Sequence, residues 1–152
     1  MATLRLNDFV PYRLSYTSNL VSEAIARTYE SLFGLTIPEW RLVAVIAEHD
    51  GITQAAICTR TGRDKVTVSR AAIALTARGL IARAPSPTDR RSHDLALTGE
   101  GRALYAQVAP KALELEKQIF GGLDEEELRA FVATLRRIDG ILGGGSPPPD
   151  RH

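Results

Sequence analysis

The fold of this chain is decided by residues 53–97, which read TQAAICTRTGRDKVTVSRAAIALTARGLIARAPSPTDRRSHDLAL. The first part predicts two helices separated by a tight turn at Gly62, with Thr53 as the N-cap of the first helix and Asp64 as the N-cap of the second. Residues 80–83 and 93–97 then predict the two strands of a hairpin joined by a polar loop. This order predicts a helix-turn-helix followed by a β-hairpin wing.

The rest of the chain predicts further helices on both sides of this stretch. Apolar residues at steps of three and four predict one long helix over residues 10–32, and a shorter helix around Trp40 follows it. Two more helices are predicted after N-caps at Thr98 and Asp124, and Pro110 should kink or interrupt the first of these. The predicted fold class is therefore mainly α with a small β-hairpin wing.

These elements divide the chain into regions with different roles. Residues 36–97 would form a compact winged helix-turn-helix lobe. The apolar stripes of residues 1–34 and 98–142 have no partner in so small a lobe, so we expect these helices to form a homodimer. Residues 143–152 are rich in Gly and Pro, cannot bury much apolar area, and are predicted to be a disordered tail.

Composition narrows the class of protein. The chain has 152 residues, 44% of them hydrophobic and 24% charged, which suits one globular domain. No segment approaches the roughly 20 apolar residues of a membrane span, so we expect a cytoplasmic protein with no membrane partner. The single cysteine, Cys58, excludes an intramolecular disulfide. His49, His93 and His152 lack metal-ligand spacing, and no nucleophile or phosphate-loop motif is present, so we expect no enzyme, metal or cofactor.

Positive charge is concentrated in the middle of the chain. Residues 52–97 carry eight Lys or Arg residues against three Asp residues, a net charge of +5. Since the whole chain has a net charge of +1, the flanking regions together carry −4. A basic middle between acidic ends indicates that the middle meets a polyanion such as duplex DNA.

The second helix of the pair has the side chains that major-groove recognition needs at its exposed start. Short hydroxyl side chains, long cations and an apolar group for the thymine methyl are all present there. The hairpin loop adds charged residues at its tip, where a minor groove would attract arginine. The predicted DNA contacts are Arg63, Lys65, Val66, Thr67, Ser69, Arg70, Asp89, Arg90 and Arg91.

Three motifs, DKVTVSR (64–70), RGLIAR (78–83) and PTDRR (87–91) followed by LTGEG (97–101), resemble the MarR family of bacterial transcription regulators. The resemblance implies a winged-helix dimer that places its fourth helix in the major groove and Arg91 in the minor groove, with Asp89 holding Arg91. It also implies a repressor that leaves its DNA when a small, often aromatic anion binds. The two DNA-binding lobes of such a dimer imply a palindromic operator with half-sites about one turn, roughly 10 bp, apart.

Effector binding is a separate hypothesis. Tyr12, Arg13 and Tyr16 on the first helix, with Trp40 and His49 on the second, have the aromatic rings and the cation that would suit an aromatic carboxylate or its thioester. A core role for Trp40 and a capping role for His49 are the alternatives.

Two other functions compete with DNA regulation through an effector. In the first, the basic winged helix docks an acidic protein instead of DNA. In the second, Cys58 makes the regulator redox-responsive. A small buried hydrophobe accounts better for Cys58, because reactive thiols need exposure and electropositive neighbours.

Overall fold

The computed structural model describes residues 1–49, 51–87 and 91–144. It contains two compact units, Met1–Ile37 and Pro38–His152. The first holds one long helix, and the second holds the elements of the predicted lobe together with the two helices that follow it.

The first unit is built on α1 (Val10–Phe33), preceded by a short 3-10 helix at Leu6–Asp8. Gly34 ends the helix in the left-handed conformation and donates its N–H to the Glu30 carbonyl, 3.0 Å away. The predicted helix over residues 10–32 is therefore confirmed. Tyr29 is its one buried residue, and large apolar side chains such as Leu20 remain exposed.

The remaining elements follow in the order expected of a winged helix. They are α2 (Ile37–Ala47), β1 (Ile52–Thr53), α3 (Gln54–Thr61), α4 (Lys65–Ala77), β2 (Ile81–Pro85), β3 (His93–Leu97), α5 (Gly99–Phe120) and α6 (Glu125–Ile141).

Side-chain caps fix where four of these helices begin. In each case the oxygen of an N-cap side chain accepts the backbone N–H three residues later, which satisfies one of the donors that a helix start leaves unpaired. The pairs are Thr53 with Ala56 (3.2 Å), Asp64 with Thr67 (2.7 Å), Thr98 with Gly101 (3.1 Å) and Asp124 with Glu127 (2.7 Å). All four N-caps were predicted and are confirmed.

The core of the second unit lies where α2, α3 and α4 bury apolar side chains together with the sheet. Val68, Ala72 and Leu75 are buried at the spacing that gives α4 one inward face. The other fully buried large side chains of this unit are Val43, Ile46, Ile57, Leu95 and Val108.

The sheet has three strands in the order β1-β3-β2, one more than the predicted hairpin. Strand β1 is two residues long and pairs Ile52 with Leu95. Two residues cannot show an alternating pattern, so the sequence offered no signal for this strand. The hairpin pairs Ile81 with Leu97, and beyond it the Ser86 N–H donates to the Ser92 carbonyl at 3.1 Å.

The last two helices differ from expectation in one respect. Helix α5 runs through Pro110 without the interruption that was one of the two predicted outcomes. Val108 and Leu115 are buried on either side of Pro110, and this burial offsets the one backbone hydrogen bond that proline removes. Helix α6 has a regular apolar stripe, yet none of its residues is buried.

The predicted tail falls largely outside the described residues, since only residues 143 and 144 of it are among them. Among the helices that the structure describes, none combines the length and the apolar character needed to cross a lipid bilayer.

Candidate nucleic-acid interface

A tight turn sets the start of α4 against the end of α3. Gly62 closes α3 with φ 61°, a left-handed conformation that favours glycine because it has no Cβ. Asp64 is extended at φ −70° and ψ 159° and caps α4. The turn and the cap together determine which side chains the first turn of α4 presents.

Helix α4 presents the predicted residues outward. Lys65, Val66 and Arg70 are exposed, Val66 by 58%, whereas Thr67 and Ser69 are half-buried. Within the part of the chain that the structure describes, neither Lys65 nor Arg70 forms an ion pair. The helix start therefore combines cationic, hydroxyl and apolar groups that are available to a ligand. Arg63, in the turn before α4, is also exposed.

Asp64 makes two hydrogen bonds to the same residue. Its Oδ1 accepts the Thr67 N–H at 2.7 Å, and its Oδ2 accepts the Thr67 hydroxyl at 3.0 Å. Both bonds favour the ionised carboxylate, so they hold the pKa of Asp64 below its ordinary value. Asp64 was predicted only as a cap, and its contact with the Thr67 hydroxyl was missed.

Ile73 extends the apolar part of this face and was also missed. It lies seven residues after Val66, two helical turns further along the same side of α4, and is 62% exposed. The spacing of seven was the available signal. Val66 and Ile73 together give the outward face an apolar strip beside its polar groups.

A polar recess lies at the base of the wing. It has a volume of about 530 Å³ and is lined by Arg83, Gln54, Arg91 and His93, among others. Arg83 Nη2 donates to Gln54 Oε1 at 3.4 Å, which joins β2 to the first residue of α3. Arg83 and Gln54 were not among the predicted contacts, since their approach depends on how the hairpin folds back towards α3.

The wing tip is only partly described. Asp89 and Arg90 lie outside the described residues, so the predicted contact between Asp89 and Arg91 stays a prediction. Arg91 itself is exposed and lines the recess at the wing base. The recess therefore brings the cations of Arg83 and Arg91 to one place.

The predicted effector residues of α1 lie together in the first unit. The rings of Tyr12 and Tyr16 have centroids 6.0 Å apart, and the Arg13 guanidinium carbon lies 5.5 Å from the centroid of the Tyr16 ring. This geometry is typical of a cation–π contact. It provides a cation and two phenols on one helix.

The other two predicted effector residues lie in the second unit, Trp40 on α2 and His49 two residues after its end, so the prediction that His49 is on the second helix was wrong. Trp40 stacks on Tyr105 with ring centroids 5.9 Å apart and an interplanar angle of 19°. His49 Nδ1 donates to the Val45 carbonyl at 2.8 Å, which satisfies a backbone acceptor near the end of α2. His49, Arg102 and Tyr105 line a groove of about 500 Å³ beside the wing strands. Arg102 and Tyr105 come from α5 and were missed.

Cys58 is half-buried, which corrects the prediction that it is buried. It lies on the flank of α3, one position after the buried Ile57. Among the described residues, no group of three or more His, Cys, Asp or Glu side chains could hold a metal ion.

The family model and the curated relatives that match this chain agree with each other. A sequence model described as the MarR family matches residues 33–92, which include the helix-turn-helix and most of the wing. The transcriptional regulator HosA of Escherichia coli O111:H- is 29% identical over 119 residues, 78% of this chain and 88% of HosA.

Solved structures with the same fold match most of the chain. The Bordetella bronchiseptica regulator BpsR, whose DNA binding is regulated by 6-hydroxynicotinic acid, matches with a TM-score of 0.83 and 25% identity over 91% of this chain and 98% of BpsR. CouR from Rhodococcus jostii RHA1, solved with p-coumaroyl-CoA, matches with a TM-score of 0.81 and 24% identity over 90% of this chain and 95% of CouR. The winged helix-turn-helix, the matching family model and these relatives together show that the chain is similar to the MarR family of transcriptional regulators.

Proposed function

We propose that this chain is a transcription regulator of the MarR type, a homodimeric repressor that binds a palindromic operator and releases it when a small aromatic acid or its thioester binds. The observation that carries the proposal is the exposed start of α4. It presents Lys65, Val66 and Arg70 within the same compact unit that holds Arg83 and Arg91 at the wing.

Each group has a role that follows from its chemistry. Val66, Thr67, Ser69 and Arg70 would contact base edges in the major groove, where donors, acceptors and the thymine methyl distinguish the base pairs. Cations outside that set would contact phosphates or the minor groove, and would supply affinity that depends little on sequence. These cations are Arg63, Lys65, Arg83, Arg90 and Arg91.

A selection experiment tests the DNA-binding proposal. The protein is mixed with a random duplex library, bound duplexes are sequenced over several rounds, and the selected site is then titrated by fluorescence anisotropy at several salt concentrations. We expect an enriched inverted repeat and an affinity that falls steeply with salt, because phosphate contacts release counterions. No enrichment, together with weak binding to every duplex, would favour the alternative in which the basic face docks an acidic protein.

The apolar stripe of α6 supports the homodimer. This helix carries Phe131, Leu135 and Ile138 along one face, yet it has no buried residue, and Phe131 is 44% exposed. Leu113 on α5 is 63% exposed. Long helices that leave such stripes exposed are stabilised by burying them against a second copy.

Phe131→Asp is expected to weaken dimerisation at least tenfold, because the dimer would have to bury a charge in place of an aromatic ring. Sedimentation velocity measures this, since the wild-type protein should sediment with twice the 16.6 kDa chain mass at micromolar concentration. Ala133→Asp adds the same charge on the opposite face of α6 and serves as the matched control. Equal dissociation constants for the two variants would place the dimer contact elsewhere.

The effector proposal rests on two separate sets of residues. One is the cluster of Tyr12, Arg13 and Tyr16 on α1. The other is the groove with His49, Arg102 and Tyr105, beside which Trp40 stacks on Tyr105. Each set combines phenols or imidazole with a cation, which suits an aromatic carboxylate. The BpsR effector, 6-hydroxynicotinic acid, is an aromatic carboxylate, and the CouR ligand, p-coumaroyl-CoA, is the thioester of an aromatic acid.

Thermal unfolding in the presence of hydroxylated aromatic acids and their coenzyme A thioesters tests this proposal. A true effector present at 100 times its dissociation constant stabilises the folded state by about 2.7 kcal/mol, a rise in melting temperature of several degrees. Arg13→Ala and Arg102→Ala then separate the two sets, because only the variant that lacks the anion's partner should lose the rise. If both variants keep the full rise, neither set holds the effector.

A further inference from the structure

We propose that Asp64 fixes the direction of the Thr67 hydroxyl, so that Thr67 reads an amino group of adenine or cytosine and rejects guanine and thymine. The inference rests on the proposed binding of α4 in the major groove. It makes Thr67 a specificity-determining residue and Asp64 its positioning residue.

The contacts with Asp64 determine the direction in which the Thr67 O–H bond points. Oδ2 of Asp64 lies 3.0 Å from the Thr67 Oγ1, while Oδ1 of the same carboxylate accepts the Thr67 N–H at 2.7 Å. An ionised carboxylate has no proton to donate, so the hydroxyl must be the donor in the contact with Oδ2. Such charge-assisted hydrogen bonds are roughly twice as strong as neutral ones. The hydroxyl proton is therefore held towards Asp64.

A hydroxyl that has committed its proton can only accept from a base. In the major groove the donors are the N6 amino group of adenine and the N4 amino group of cytosine. Guanine O6 and N7 and thymine O4 are acceptors, and they would face the lone pairs of the Thr67 oxygen. Thr67 should therefore favour bases that have an amino group in the major groove over bases that do not.

Ser69 provides a contrast on the same helix. Among the described residues, the Ser69 side chain has no hydrogen-bond partner that would fix its proton. Its hydroxyl can turn to donate or to accept, so it should tolerate either class of base. The difference between Thr67 and Ser69 comes from Asp64 rather than from the hydroxyl itself.

Asp64→Asn releases the Thr67 hydroxyl proton without removing the cap. The asparagine oxygen can still accept the Thr67 N–H, while its amide group donates to the Thr67 oxygen. The hydroxyl then has a free proton and one open lone pair, so it can donate to an acceptor or accept from an amino group, as Ser69 can. The preference for adenine or cytosine opposite Thr67 should therefore be lost, with guanine or thymine tolerated at the same position.

The test first selects duplexes with the wild-type protein and with Thr67→Val, which locates the base position that depends on the hydroxyl. All four base pairs at this position are then titrated by anisotropy with wild type and with Asp64→Asn. We expect the wild type to prefer an amino-bearing base about tenfold. Thr67→Val should lose this preference through weaker binding to the amino-bearing base, and Asp64→Asn should lose it through tighter binding to guanine or thymine.

A base analogue gives a second measurement that needs no change at Asp64. If adenine is preferred, replacing it with purine, which lacks the N6 amino group, should lower the duplex affinity of the wild type about tenfold. The affinity of Thr67→Val should not change. If cytosine is preferred, a cytosine analogue without the N4 amino group takes its place.

Asp124→Asn is the matched control for Asp64→Asn. Asp124 caps α6 with the same 2.7 Å bond to a backbone N–H, and its substitution should leave base preference unchanged.

Several outcomes overturn the inference while leaving the proposed function intact. A wild-type preference for guanine or thymine at this position would do so, and so would an unchanged preference in Asp64→Asn. A Thr67→Val variant that selects the same sites as the wild type would show that Thr67 reads no base. Absence of any duplex binding by the wild type would instead contradict the proposed function.

Discussion

Gly101→Ala is expected to destabilise the folded chain by about 3 kcal/mol or more, although it adds only one methyl group. A Cβ at this position would lie deep inside van der Waals contact with the Leu80 carbonyl oxygen, 3.0 Å from the Leu80 carbonyl carbon and 3.4 Å from Leu97 Cβ. The close neighbour is backbone, which cannot rotate away as the end of a flexible side chain can.

The surrounding hydrogen bonds prevent an easy adjustment. The Leu80 carbonyl accepts the Thr98 N–H at 3.1 Å, and the Thr98 hydroxyl donates to the Gly79 carbonyl at 2.6 Å. Leu80 is also buried. Moving α5 outward would therefore break the contacts that join it to the end of α4 and the start of the wing.

Urea or thermal unfolding followed by circular dichroism measures the effect, and Gly99→Ala is the matched control. Gly99 lies in the first turn of the same helix, with no atom within 4 Å of an added Cβ. Alanine there should be neutral or stabilise the chain by up to about 1 kcal/mol, because it restricts the unfolded chain. Similar unfolding midpoints for the two variants would contradict the predicted close approach.

The parts of the fold that sequence predicted are those encoded by neighbouring residues. Asp64 and Asp124 each precede a helix, and each accepts the backbone N–H of the residue three positions later. Short polar side chains commonly cap helices in this way. The buried face of α4 followed from apolar residues three and four positions apart. Caps and periodicity depend on the local chain alone, so they can be recognised without the tertiary structure.

The parts that sequence missed depend on contacts between distant segments. Arg83 meets Gln54 across 29 residues, and Tyr105 stacks on Trp40 across an even longer separation. No local pattern encodes such pairs. The two-residue strand β1 exists only because β3 lies beside it. These non-local contacts create the recess at the wing base and the groove beside it, so both features were absent from the predicted site.

The same distinction applies to α4, the helix that we propose reads bases. Val66, Thr67 and Arg70 were predicted as outward positions from residue type and spacing, and the structure leaves Val66 and Arg70 exposed and Thr67 half-buried. The direction of the Thr67 hydroxyl was not predicted, because it depends on which Asp64 oxygen is left after capping. Residue type indicates that a helix can read DNA, but hydrogen-bond geometry decides which bases it prefers.

Arg70→Ala and Arg91→Ala are expected to weaken operator binding by about tenfold or more each, but in different ways. Arg70 lies on the outward face of α4, so its loss should reduce the affinity for the selected site much more than for unrelated duplexes. Arg91 lies at the wing, so its loss should weaken binding to all duplexes by a similar factor and lower the slope of log K against log salt by about one. Anisotropy titrations with the selected operator and a scrambled duplex, at three or more salt concentrations, separate the two patterns.

Arg129→Ala is the control for the loss of one positive charge. Arg129 lies on α6 in an exposed pair with Glu125 at 3.6 Å, and such pairs contribute only about 0–1 kcal/mol to stability. Its removal should change operator affinity less than twofold. If Arg129→Ala weakens binding as much as Arg91→Ala does, net charge rather than a wing contact explains the effect. If Arg70→Ala weakens the scrambled duplex as much as the operator, Arg70 contacts phosphate and the base-reading role passes to the other side chains at the start of α4.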